Sequence, residues 1–164
     1  MTKKDIIIEQ MKACFEEESW FVTIRKALEG ITPEQAEWKP EGGNSIREIL
    51  NHLIFWNQRY LHRYKHVPVT KFDTNDYTFT NESTGQNIDN WEDTINKLYE
   101  VYTEWITILE EADDTRLEGE AFPGYGSTWY VVLLNITIHN AYHIGQIVTI
   151  RKQQGSWNPA QGVS

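Results

Sequence analysis

Residues 136–155 read ITIHNAYHIGQIVTIRKQQG. Apolar residues recur at three- and four-residue intervals, and Gly155 closes the run, so the stretch is read as an amphipathic helix with a glycine at its C-terminal cap. Each helical residue advances about 100°, which puts positions four apart on one face. Taking His139 as origin, Val132, Asn135, His143, Gln146 and Ile150 all fall within about 40° of it. Two histidines therefore share the face that carries Val132 and Ile150, the face expected to point inward.

Working outward, the same periodicity recurs. Residues 3–28 are apolar at Ile7, Met11, Cys14, Phe15, Phe21, Val22 and Leu28 and are read as one helix ended by Gly30. Thr32-Pro33-Glu34-Gln35 carries an N-cap, a proline at the first helical position and a capping-box partner, and it starts a short extra helix. Ser45-Ile46-Arg47-Glu48 is a second capping box. The helix behind it is expected to run to about His66, with Ile46, Ile49, Leu53, Trp56, Tyr60 and Tyr64 as its stripe. Residues 67–87 are polar and aperiodic. About twenty such residues in a compact domain suggest a functional segment or a long crossover, and the alternation of Tyr77 and Phe79 allows a short extended piece. Residues 88–113 form an acidic helix with Trp91, Ile95, Leu98, Tyr102, Trp105 and Leu109 inward. Residues 119–126 are a loop, and Ser127 is taken as the cap of the last helix. Four long amphipathic helices and no convincing strand define an all-α fold, a four-helix bundle with a short extra helix and a long crossover loop, in a single domain over residues 1–164. The crossover allows a non-adjacent or parallel pairing of the second and third long helices.

Composition narrows the partners. The chain has 15 basic and 24 acidic residues, a net charge of −9 with histidine neutral. Phosphate backbones and anionic membranes both call for a basic surface, so neither nucleic acid nor membrane is expected as a partner. One cysteine, Cys14, forbids an internal disulfide and suits a reducing compartment. No apolar run reaches signal-peptide or membrane-spanning length, and a cytoplasmic protein is expected. Cys14 lies on the apolar stripe of its helix and is read as core.

His52 joins the candidate site, because Ile49 and Trp56 flank it on the inward face of the second long helix. Three inward histidines on two helices invite two readings. As ligands, neutral imidazoles suit zinc, nickel, iron or copper. Three of them leave a position open, where a water or thiol that reaches the ion loses its proton near neutral pH. As core residues they would simply be hydrogen-bonded. His62 and His66, also four apart, sit near a helix C-terminus beside Arg63 and Lys65 and are read as surface residues. HNAYH has Asn140 where the zinc-protease pattern needs glutamate, and no nucleotide-binding or serine-hydrolase motif is present.

SIREILNHLIFWNQRYL followed far downstream by HNAYHIGQIVTIRKQQG resembles the DinB-like superfamily, also called YfiT-like metal-dependent hydrolases. The resemblance spans nearly the whole chain, apart from residues 67–127. It implies a four-helix bundle with a divalent metal, zinc, nickel or iron, held by three histidines that fall on His52, His139 and His143. Gln146 matches the glutamine of the family block and is expected to make a supporting hydrogen bond. Glu48, one turn before His52, is a candidate to orient that ligand unless its capping role occupies it. The family also implies a small-molecule substrate and frequent homodimers, and its assigned activities include low-molecular-weight thiol S-transfer and thiol-dependent isomerisation. A metal-dependent thiol S-transferase is therefore expected first. The alternatives are a metal-dependent hydrolase using water, and a non-catalytic metal-binding stress protein. Residues 67–87 and Ser156-Trp157-Asn158-Pro159 are the expected specificity elements.

Overall fold

The computed structural model describes residues 1–85, 88 and 90–162. Seven α-helices follow in order: α1 (Lys3–Phe15), α2 (Ile24–Leu28), α3 (Pro33–Glu37), α4 (Ile46–Tyr64), α5 (Trp91–Glu111), α6 (Asp114–Glu118) and α7 (Trp129–Gln153). Among the described residues there is no strand, only an isolated bridge between Glu120 and Thr128. The four long helices α1, α4, α5 and α7 form the bundle.

Cross-helix contacts fix the topology. Arg47 Nη1 donates to Thr94, Trp105 Nε1 donates to the Asn57 carbonyl, and Lys65 pairs with Glu104. From Arg47 with Thr94 to Asn57 with Trp105 the numbers rise together on both helices, so α4 and α5 are adjacent and parallel. α1 and α7 are also parallel, because Lys3 lies over Tyr130 and Thr137 bonds to Gln10. α1 is antiparallel to α5, with Lys12 on Glu110 and Phe15 against Tyr102. α4 is antiparallel to α7, with Asn57 opposite Asn140 and Tyr64 against Trp129. The order around the bundle is α1, α5, α4, α7. Of the two pairings the crossover allowed, the parallel one occurs. The return path from the end of α4 to the start of α5 folds into 3-10 turns at Asn75–Phe79 and Glu82–Thr84, which pack on α4.

Local chemistry explains the boundaries. Both expected capping boxes are present, at Thr32 with Gln35 and at Ser45 with Glu48. The expected helix over residues 3–28 is instead broken into α1 and α2. Glu16, Glu17 and Glu18 stand where the helix dipole is negative, which disfavours continuation, and Thr23 caps the restart at Ile24. Tyr77 and Phe79 lie in a 3-10 turn rather than an extended piece, because the Thr78 hydroxyl bonds back to the Asn75 carbonyl at 2.6 Å. Gln86 and Asn87, the end of the aperiodic stretch, lie outside the described residues. α4 ends at Tyr64, and His66 takes the left-handed conformation (φ 58°) while Val67 N–H closes onto the His62 carbonyl. The N-cap position of α7 is Thr128, whose side chain makes no capping bond, and not Ser127, whose carbonyl accepts from Ala121 N–H.

Two fully buried carboxamides face each other along the α4–α7 seam. Asn57 and Asn140, both fully buried, exchange amide hydrogen bonds of 2.8 and 3.2 Å, and Asn57 also donates to the Leu53 carbonyl. A buried amide stripped of its partner loses about 1–3 kcal/mol. Asn57→Leu should therefore destabilise the protein by that order in urea unfolding. The double change Asn57→Leu with Asn140→Leu should recover part of the loss, since no orphan amide remains.

Candidate metal centre

His52 lies two turns into α4, and its neighbours Ile49 and Leu53 are buried, so the rotation of the helix carries its ring inward. His139 and His143 sit one turn apart on α7, which crosses α4 in the antiparallel sense set by the Asn57–Asn140 pair. The three sequence-predicted histidines come together. His52 Nε2 lies 3.0 Å from His139 Nε2, and His143 Nε2 lies 3.1 Å from the same atom. Candidate ligand atoms of all three lie within 4.8 Å of one another, and His52 and His143 are buried.

The outer nitrogens fix the protonation of the inner ones. The Thr78 hydroxyl spends its hydrogen on the Asn75 carbonyl, so at 2.6 Å it must accept from His52 Nδ1. Gln146 Nε2 donates to the Tyr142 hydroxyl, so its Oε1 at 2.7 Å accepts from His143 Nδ1. A neutral imidazole carries one hydrogen. His52 and His143 therefore both present bare Nε2 lone pairs toward His139 Nε2, which has at most one hydrogen to give. At least one contact of about 3 Å therefore sets two lone pairs against each other, an arrangement that a shared cation would relieve. Nitrogens bound at about 2.0–2.1 Å stand about 3.3–3.4 Å apart at the tetrahedral angles usual for zinc and about 3 Å apart at right angles, so separations of 3.0 and 3.1 Å bring these donors close to what one shared divalent ion requires.

The environment keeps the rings neutral, as ligands must be. Burial, reinforced by His143 and His139, pulls His52 down to about 3. Burial, with His143, pulls His139 down to about 4. Burial also lowers His143, against the opposing bond to Gln146. The Phe79 ring stacks on His52 with centroids 4.1 Å apart and planes 12° apart.

A cavity of about 510 Å³ opens onto the three rings. Its described lining contains no Asp, Glu, Lys or Arg. Asn75 and Phe79 bring the crossover to the lining. The tail does not line it: Trp157 packs under Arg151, whose Nη2 donates to the Ser156 carbonyl. Tyr125 of the loop before α7 lines the cavity instead.

Other expectations are corrected or refined. Glu48 does not orient His52, because its Oε2 accepts from Ser45 N–H and its Oε1 from Lys39. Thr78 takes that place, and nothing local to its aperiodic stretch announces it. Gln146 makes the expected supporting bond. His66 is exposed and His62 half-buried, and neither belongs to the histidine group. Cys14 is buried, its thiol pushed up to about 12 by burial, in keeping with a core residue.

Fold and site together define a helical bundle with a three-histidine candidate metal centre between two of its helices. The family model of the DinB superfamily matches residues 18–147, and the chain belongs to that superfamily. The match includes all three histidines. The fold is similar to YfiT from Bacillus subtilis, described as a probable metal-dependent hydrolase with an unusual four-helix bundle topology (TM-score 0.68, 18% identity, 94% of this chain and 89% of that one). It is also similar to the colibactin self-resistance protein ClbS, solved in complex with a dsDNA (TM-score 0.71, 18% identity, 91% of this chain and 95% of that one). At such identity these likenesses speak to the fold. The expectation of no nucleic-acid partner draws no support from the second. No curated protein matches. No helix among the described residues is long and apolar enough to cross a membrane.

The depressed histidines set an acid limit. Unfolded, His52 and His139 titrate near 6.5; folded, near 3 and 4. Between these values the unfolded chain binds more protons. Stability of the ion-free protein should thus be full above about pH 6.5 and fall as pH drops through 4. Urea midpoints measured against pH in a chelator read this slope. His139→Gln should flatten it, and an unchanged midpoint between pH 7 and pH 5 would contradict the assignment.

Proposed function

We propose that the chain is a divalent-metal-dependent enzyme acting on a small molecule, with His52, His139 and His143 holding zinc, nickel or iron. What carries this reading is the convergence of two hydrogen-free Nε2 atoms on the third histidine. When bound, the ion supplies Lewis acidity, which holds a thiol or a water as its conjugate base near neutral pH. The chain's own residues do the rest. Thr78 and Gln146 hold the His52 and His143 rings in the tautomer that leaves Nε2 free. Phe79 covers one face of His52 and keeps water from it. The cavity admits the substrate.

Low-molecular-weight thiol S-transfer to an electrophile is the first reading. Hydrolysis of an ester or amide also calls for a group that protonates the leaving atom, and the described lining offers no carboxyl group for it. Conjugation of a thiol, already acidic enough to ionise at an ion, needs none. Hydrolysis is the second reading, favoured by the likeness to YfiT. Turnover of an electrophile panel with and without added thiol separates the two.

His139→Ala should abolish stoichiometric metal in elemental analysis of tag-free protein and should abolish turnover. If metal content and turnover both survive, the reading is wrong. Thr78→Val should weaken metal affinity by about 10–100-fold in a chelator competition, the usual cost of a lost partner to a ligand histidine. Thr78→Ser, which keeps the hydroxyl, should stay near the parent.

A further inference from the structure

The cavity wall away from the histidines has a chemistry of its own. Trp56 and Tyr60, one turn apart on α4, stack with planes 27° apart and centroids separated by 6.0 Å. Tyr125 stands beside Tyr60; burial, with this neighbour, raises the Tyr60 phenol above its ordinary value. Three carboxamides from three separate segments complete the wall: Asn44 before α4, Asn75 in the crossover and Asn135 one turn before His139. All three are exposed, and their side chains bond to no other described residue. Two cations of α4 stand near this wall without lining the cavity: Arg59 donates to the Thr70 carbonyl and lies over Phe72, and Arg63 lies over Phe122 and over the Tyr60 ring.

We infer that this cavity selects substrates whose body, beyond the reacting end, is planar and uncharged, with an amide- or carbonyl-like edge. The inference rests on the proposed enzymatic reading of the site. A charged group bound along this wall, away from the histidines, leaves water and finds no opposite charge among the described lining, a cost that carboxamides and phenols only partly offset. A flat neutral group loses little hydration and gains ring contacts, and unpartnered carboxamides offer both donors and acceptors to its edge. Phosphates or carboxylates placed along this wall, away from the histidines, are disfavoured on the same grounds.

Three isosteric probes test this: benzamide, benzoate and benzamidinium, which are neutral, anionic and cationic at pH 7. Each is titrated into the full chain held in chelator, following the indole N–H resonance of Trp56, assigned with Trp56→Phe. Benzamide should shift this resonance with an affinity at least tenfold above that of either ion. Equal or tighter binding of benzoate or benzamidinium overturns the inference, and so does failure of all three to shift the resonance at their solubility limits. Asn135→Lys, a change at an exposed position, should raise benzoate affinity above that of benzamide; if benzamide still leads, the lining does not set the preference. Because the titration is done without metal, its outcome is independent of metal content, which tests the ligand assignment separately.

Discussion

The reciprocal amide pair between Asn57 and Asn140 sets the register of α4 against α7, and the site inherits that register. Each amide is fully buried and satisfies the other, while Asn57 also takes up the Leu53 carbonyl and gives its own carbonyl to Trp105. Slipping one helix by a turn, about 5.4 Å, would strand both amides in an apolar core. Asn140 directly follows His139 and stands three residues before His143, and Asn57 follows His52 by five. The interaction that makes slippage costly is therefore also the one that holds the three rings opposite one another. Stability and site geometry share a single constraint at this seam.

Topology adds the other half of the site. Because α4 and α5 are parallel neighbours, the chain must travel back along the bundle between them. The return strap is too polar to build a core of its own and is held by hydrogen bonds. Ser83 Oγ shares its one hydrogen between the carbonyls of Thr78 and Thr80, and Asn51 Nδ2 donates to the carbonyl of Phe79. Those bonds fix Thr78 and Phe79 against His52, one accepting its Nδ1 hydrogen and the other stacked on its ring. A segment that topology requires thus also orients a candidate ligand.

This division explains what could be read from sequence. Capping boxes at Thr32 and Ser45 and the apolar stripes of α4, α5 and α7 are local signals with fixed spacing, so helix identity was legible. So was the inward placement of His52, His139 and His143, which follows from 100° per residue alone. The break after Phe15 was missed because Phe21, Val22 and Leu28 keep an apolar pattern across a turn, while the competing signal, three glutamates against the helix dipole, is energetically modest. Glu48 was legible as a cap, but its second oxygen is claimed by Lys39, a contact no spacing rule gives. Thr78 and the Asn57–Asn140 pair were invisible for a stronger reason: their partners lie 26 and 83 residues away. Polar pairs at such separation leave no periodic trace.

Charge distribution bears on the choice between a metal centre and a plain histidine core. The chain carries −9 overall, yet the described lining around the rings is without formal charge. In a purely structural cluster each acceptor nitrogen would be met by a donor, as Asn57 meets Asn140. Here the donors Thr78 and Gln146 could have supplied were both turned into acceptors, at Nδ1, and one hydrogen is left to serve two bare Nε2 atoms. Burial then keeps a second hydrogen from being added near neutral pH, since it holds His52 and His139 well below their ordinary value. The same bonds that would be a defect in a core are the ones a cation requires, because they aim unprotonated nitrogens at a common point and prevent the rings from rotating away.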